Sequence, residues 1–288
     1  MKTLMIFISL LLPSWLWSQK ADISLEAVTS MESLSWSIAG NLNGENPNIY
    51  SELNWQGVSG IGLKTDGHLS IHRRFRIGLK AGMIWFVAGE VTDTDYQQDN
   101  RTNQVFYARE QANDGFSRLI APMLICQTVD RVRFRLSAGL GYQWISKKFY
   151  LLNEHTGLHS SYRAAWMGMS GHISAQYQAG PISVRVTTEY IQVAYDARAN
   201  WNLIDEFEHP VSFRHEAKGF VWSNEVATSY PIKSNFHLKA SVIHTYSSTG
   251  KGIDTLYKTD GSKPQTRLND VTNQVFNISV GVVKTLGQ

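Results

Sequence analysis

The residues with the clearest chemical potential are Asp93 and Asp95, in the stretch GEVTDTDYQQDN (89–100). One residue apart on an extended backbone, two carboxylates point the same way. Close carboxylates cannot both ionise freely, so one of them holds a proton nearer neutrality and can act as a proton carrier. The pair suits water activation. With Asp99 it also offers oxygens to a calcium ion, but the glycine and closing glutamate of an EF-hand loop are missing. The nine histidines show no metal-site spacing such as HExxH, and no GxSxG turn marks a serine nucleophile.

These aspartates follow a run that alternates with a period of two. In Arg74–Val87, Phe75, Ile77, Leu79, Ala81, Met83, Trp85 and Val87 oppose Arg74, Arg76, Gly78, Lys80 and Gly82. Arg131–Trp144 repeats the code, with Val132 to Trp144 on one face and Arg131, Arg133 and Arg135 on the other. In Ser51–Ile71, Leu53, Trp55, Ile61 and Leu63 oppose Glu52, Asn54, Lys64 and Asp66. Short turns near 72–74, 129–131, 178–181 and 230–235 alternate with longer polar segments near 40–48, 93–115, 152–160, 196–210 and 250–270. This predicts roughly ten antiparallel up-and-down strands closed into a transmembrane β-barrel, with short turns at one end and long loops at the other. Trp55, Trp85, Trp144, Tyr190 and Tyr246 are expected at the membrane interfaces. So narrow a barrel should pair its inward charges internally (Arg74, Arg76, Arg131, Arg133, Arg135, Arg185, Glu52, Asp66 and Glu189) and leave no wide pore. A soluble β-sandwich has the same alternation. Export and the short/long loop asymmetry decide against it.

The export reading comes from the start of the chain. Met1-Lys2, the apolar run Leu4–Leu12 and PSWLWSQ read as a signal peptide over 1–18, leaving one domain over 19–288 in the outer membrane. No later stretch reaches the ~18 apolar residues of a membrane-spanning helix. The single cysteine, Cys126, forms no internal disulfide. A net charge of +3 without a basic cluster excludes nucleic acid as a partner. The partners expected are outer-membrane lipid, lipopolysaccharide and a peptide, protein substrate or surface partner, with the barrel itself a monomer.

The chain resembles the omptins, ten-stranded outer-membrane endopeptidases. The resemblance runs through ADISL (21–25), SELNW (51–55), RIGLKAG (76–82), TDTDY (92–96), VSFR (211–214) and GKGIDTLYKTDG (250–261). It implies that Asp93 and Asp95 hold a water at the extracellular rim, opposite an Asp-x-His pair. The positions matching that second pair fall on Asn200 and Asn202, which cannot act as bases. His209, with Asp205, Glu206 or Glu208, is the group available to rebuild the half-site. The positions matching the family's acidic specificity pocket fall on Leu34 and Arg198, with Glu32 and Asp196 close by. Lys147 and Lys148 are the expected contacts for lipopolysaccharide phosphates as an activating lipid, though Trp144 and Ser146 depart from that family motif and only Tyr142 matches it.

If the parity of Arg74–Val87 ran on, Asp93 and Asp95 would face outward. A one-residue slip at Ala88-Gly89 would turn them into the barrel. The function expected is therefore an endopeptidase with an Asp-activated water. The alternatives are a catalytically impaired barrel that uses its loops as an adhesin or binding surface, and a small nonspecific porin.

Overall fold

The computed structural model describes residues 20–287; the expected signal peptide lies outside them. Among the described residues there are twelve antiparallel segments and no helix. They are β1 (Ala21–Ile38), β2 (Ser51–Ser70), β3 (Phe75–Gln98), β4 (Thr102–Gln111), β5 (Gly115–Asp130), β6 (Phe134–Asn153), β7 (Leu158–Ala179), β8 (Ile182–Asn200), β9 (Phe213–Lys233), β10 (Phe236–Thr249), β11 (Gly252–Leu256) and β12 (Gln265–Leu286). The ring closes through β1 and β12.

Twelve segments form ten staves. β3 pairs with β5 along its lower part and with β4 along its upper part, so β4 and β5 are one stave broken at 112–114. β10 and β11 likewise share the space between β9 and β12. The segment 93–115, expected as a loop, is instead a hairpin that carries β3 and β4 beyond the neighbouring strands. Asp93 and Asp95 lie within a strand.

The barrel has two zones of opposite polarity. Below, the outer wall is apolar: Leu25, Met31, Leu63, Leu79, Leu140, Met169, Val186 and Val280 are all exposed, as a bilayer requires. The lumen there is polar. Glu26 accepts hydrogen bonds from Lys239 (2.9 Å) and Ser279 (2.7 Å), while Lys64 bridges Glu26 (3.4 Å) and Glu225 (3.2 Å). Lys80 reaches Glu189 at 3.6 Å.

Above, the pattern inverts. The outer wall carries Glu90, Arg109, Lys148, Arg163, Arg198, Glu216 and Lys218. The lumen is filled by Trp36, Trp55, Phe86, Phe149, Tyr162, Trp166, Tyr195 and Phe213. Trp55, Phe149, Tyr162 and Trp166 are no more than 1% exposed. Their rings pack closely, with Trp55 stacked on Tyr162 at 5.5 Å and Phe86 on Phe149 at 5.2 Å.

The inversion has two origins. In β1 the apolar positions change phase, from Ile23, Leu25 and Met31 outside to Leu34 and Trp36 inside, with the strand's parity unbroken. In β2 and β3 the apolar parity continues and the backbone slips instead. Register shifts near Gln56–Gly60, with Gly57 at φ 60° and Gly89 at φ 152°, turn Leu53, Trp55 and Val91 inward. Trp55 is thus core, not interface, whereas Trp85, Trp144 and Tyr190 stand exposed on the outer wall. Arg74, Arg131 and Arg133 sit exposed at the turns, and Glu52 faces outward to Arg101 (2.8 Å), because the same slip reverses its strand's parity.

Candidate functional site

Asp93 and Asp95 share a face with Val91. Cross-strand, Asp93 pairs with Leu53, Asp95 with Ser51, and Val91 with Trp55. Leu53, Trp55 and Val91 belong to the aromatic core, so the slip at Ala88-Gly89 does place both carboxylates on the lumen side, above the plug. A Cβ at Gly89 would stand 2.9 Å from Val58 Cγ2 and 3.0 Å from the Ala112 carbonyl oxygen, which fits glycine alone.

The surroundings set the acidity of the pair. Burial, and then the neighbouring Asp95 charge, push Asp93 up to about 7. Asp95 is also raised by burial, with the Ser51 side chain pulling the other way. Near neutral pH Asp93 is therefore poised to take up or release a proton, the condition for general acid–base work.

The rest of the expected apparatus makes other contacts. His209 is exposed on the β8–β9 loop, its Nδ1 2.7 Å from Asn200 Oδ1. Asn202 anchors that loop to β7: its Oδ1 accepts from the His159 amide (2.8 Å) and its Nδ2 donates to the Gly157 carbonyl (3.0 Å). Asp205, Glu206 and Glu208 are exposed. Among the described residues, no hydrogen bond or ion pair joins Asp93 or Asp95 to a histidine, and no group of three His, Cys, Asp or Glu could hold a metal ion.

Leu34 is core, 1% exposed, and Arg198 sits on the outer wall beside Asp196 (3.6 Å), so neither lines a pocket. Lys147 corrects the expectation of two lipid-facing lysines. It points into the lumen, 4% exposed, ion-paired with Glu32 and donating to Asn273 Oδ1 (2.7 Å). Adjacent strand residues face opposite sides, so Lys147 and Lys148 cannot both meet lipid.

Lys148 does face outward, its ammonium over the Tyr150 ring at 4.3 Å. Arg163 pairs with it across the strands, and Arg163 and Arg118 both approach the Phe116 ring (5.8 and 4.1 Å).

One cluster carried no sequence signal. The Tyr162 hydroxyl lies 2.6 Å from that of Tyr195 and 2.9 Å from His215 Nδ1; His215 Nε2 lies 3.3 Å from Asp254. His215 is fully buried against Trp36 at 4.9 Å. Burial raises both tyrosines well above their ordinary value, Tyr162 helped by Tyr195, so they remain neutral. The four residues come from β7, β8, β9 and β11, and only the barrel brings them together.

A family model described as Pom, Protochlamydia outer membrane protein, matches residues 30–288. No curated protein matches the chain. Among solved structures, the outer membrane protease OmpT from Escherichia coli superposes with a TM-score of 0.70 at 15% identity, over 93% of this chain and 96% of that one. OprG, an outer membrane protein from Pseudomonas aeruginosa, gives a TM-score of 0.41 at 9% identity, over 94% and 97%. At such identities the likeness to OmpT is one of fold.

Proposed function

Because the chain belongs to the Protochlamydia outer membrane protein family, we propose, within that outer-membrane setting, a sealed barrel that presents a recognition surface at its long-hairpin end, turned to the cell exterior. The observation that carries this is the aromatic core: four large side chains with at most 1% exposure occupy the upper lumen, where a pore would need water. The surface above it is suited to a peptide or protein partner. On β4, Val105, Phe106 and Tyr107 are 46–55% exposed, and Tyr50 and Leu42 are exposed on loops nearby. Phe106 lies opposite Asp95 and Tyr107 opposite Thr94, so apolar groups stand exposed on both faces of the projecting hairpin, and exposed apolar groups at a rim mark interaction sites. Ring closure pairs the staves on both sides except along the projecting part of β4, which supports a monomer.

A second reading is an omptin-like endopeptidase, supported by the raised Asp93 beside Asp95 and by an OmpT-like fold. It needs a base from the loop 201–212, where His209 now rests on Asn200. On the outer wall, Lys148, Arg118 and Arg163 just above the apolar band are the candidates for lipopolysaccharide phosphates, in place of Lys147.

One experiment separates the two readings. The folded mature barrel, held in nanodiscs, is incubated with a mixed peptide library, and bound and released peptides are identified by mass spectrometry. Retention without cleavage, lost in Phe106→Ser, supports recognition. Cleavage that vanishes in Asp93→Asn/Asp95→Asn supports the enzyme. Neither retention nor cleavage would overturn both.

A further inference from the structure

At the short-turn end the lumen opens into a cavity of ≈ 400 Å³. Its mouth is lined by Pro181 at a short turn and Pro231 near the end of β9, and its inner end meets the Glu26–Lys239 ion pair. Three arginines line it; Arg135 is held by Asp130, which leaves Arg76 and Arg185. Arg76 is the second residue of β3 and Arg185 the fourth of β8, so both stand a few residues in from the short turns, on separate walls. Among the described residues, neither has a carboxylate within ion-pair distance, in contrast to the lysines of the layer above.

Their surroundings leave both guanidinium groups available. The charges around Arg76 are Arg185, Asp22, Arg135 and Asp66. Asp22 accepts from the Thr285 hydroxyl (2.7 Å), Asp66 lies against His68 (3.4 Å), and Arg135 is taken by Asp130 (3.2 Å). Arg76 Nε is buried without a hydrogen-bond partner, as are His172 Nδ1 and Asp66 Oδ1 in the same cavity. Arg185 donates only to the neutral Gln176 Oε1 (3.1 Å), which in turn is braced by Ser183. A buried guanidinium without an acceptor is costly, and a guanidinium fork matches the oxygens of a phosphate or carboxylate.

We propose that this cavity is a binding site for a small organic anion, whose phosphate or carboxylate head bridges Arg76 and Arg185. The volume exceeds the need of a bare oxyanion and lies within the range of small-molecule pockets, ~300–1,000 Å³. Hydroxyls and amides of Ser174, Gln176 and Ser183 line the space around the head and suit a polar body. The site lies at the opposite end from the recognition surface and does not depend on it.

The test uses the folded mature barrel in uncharged detergent, titrated calorimetrically with glycerol 3-phosphate, succinate and, as a neutral control, glycerol. Saturable binding of either anion, absent for glycerol, is expected. Arg76→Gln and Arg185→Gln should each weaken it at least ~10-fold, while Arg118→Gln on the outer wall and Asp93→Asn at the far rim leave it unchanged. Which anion binds assigns the head group. Heat-modifiable migration on a denaturing gel verifies that each variant is folded. Absence of saturable binding to folded wild-type protein, or equal binding by both arginine variants, would overturn the proposal.

Discussion

The lower and upper halves of this barrel use the same strands to solve opposite problems. Below, lipid covers the outside and the lumen is held by ions: Glu26 with Lys64 and Lys239, Lys80 with Glu189. Above, the outside is polar and the lumen is a packed aromatic core, as in a small water-soluble barrel. At the join sits Lys147, bound to Glu32 and Asn273 below and 6.0 Å from the Trp166 ring above. A single strand can serve both zones only if its polarity changes phase or its backbone slips, and this chain does both.

The largest expected effect comes from emptying the upper core. Trp166→Ala should lower unfolding stability in detergent by about 3–5 kcal/mol, the usual cost of removing a buried aromatic side chain. A cost under about 1 kcal/mol would mean that the upper half is not packed. In the lower half, Glu26→Gln leaves Lys64 and Lys239 short of a counter-charge and should cost about 3 kcal/mol. Adding Lys239→Met should restore part of it, because the ionic lumen depends on pairing rather than on volume. Gly89→Ala should cost about 1–3 kcal/mol through strain at φ 152° and contact with Val58. It should also bring the Asp93 titration, followed by carboxyl infrared absorption, back toward the ordinary range as the bulge relaxes.

Asp93 gives a smaller effect whose sign depends on pH. Its folded value, about 7, lies above the ordinary 3.8, so the folded state binds this proton more tightly than the unfolded state. The stability it contributes is full below pH 4 and lost as pH rises from about 4 through 7. Asp93→Asn should therefore raise the melting temperature at pH 8 and leave it nearly unchanged at pH 4. The reverse order would remove the protonated Asp93 from the account. Smallest of all is the outer-wall pair Arg109–Glu90, more than half exposed; breaking it should leave the melting temperature nearly unchanged, and more so at high salt.

The lower half was legible in the sequence because period two writes a lipid-facing wall directly: Phe75 through Val87 and Phe134 through Trp144 read outward and are outward. The ten-stave ring followed from the same pattern. The upper half was harder to read. Leu53 and Trp55 keep the parity of Ile61 and Leu63, so they read as lipid-facing until the backbone slip turns them inward. For Asp93 and Asp95 the slip could be foreseen, since a glycine stood where a long strand had to change face. Lys147 was misplaced because two adjacent lysines read as one basic patch, although a strand divides them between its faces. The Tyr162–His215–Asp254 cluster was invisible, since its members are separated by up to ninety residues and meet only across the lumen.

The measurement that tests the two-zone account most directly is single-channel recording of the folded mature barrel in a planar bilayer, beside a Trp55→Ala/Trp166→Ala variant. A sealed upper lumen predicts a silent wild type, with conductance, if any, confined to the variant. Steady open-channel current through the wild-type protein would show water running where the aromatic core is placed, and would contradict the claim that the upper half is a plug.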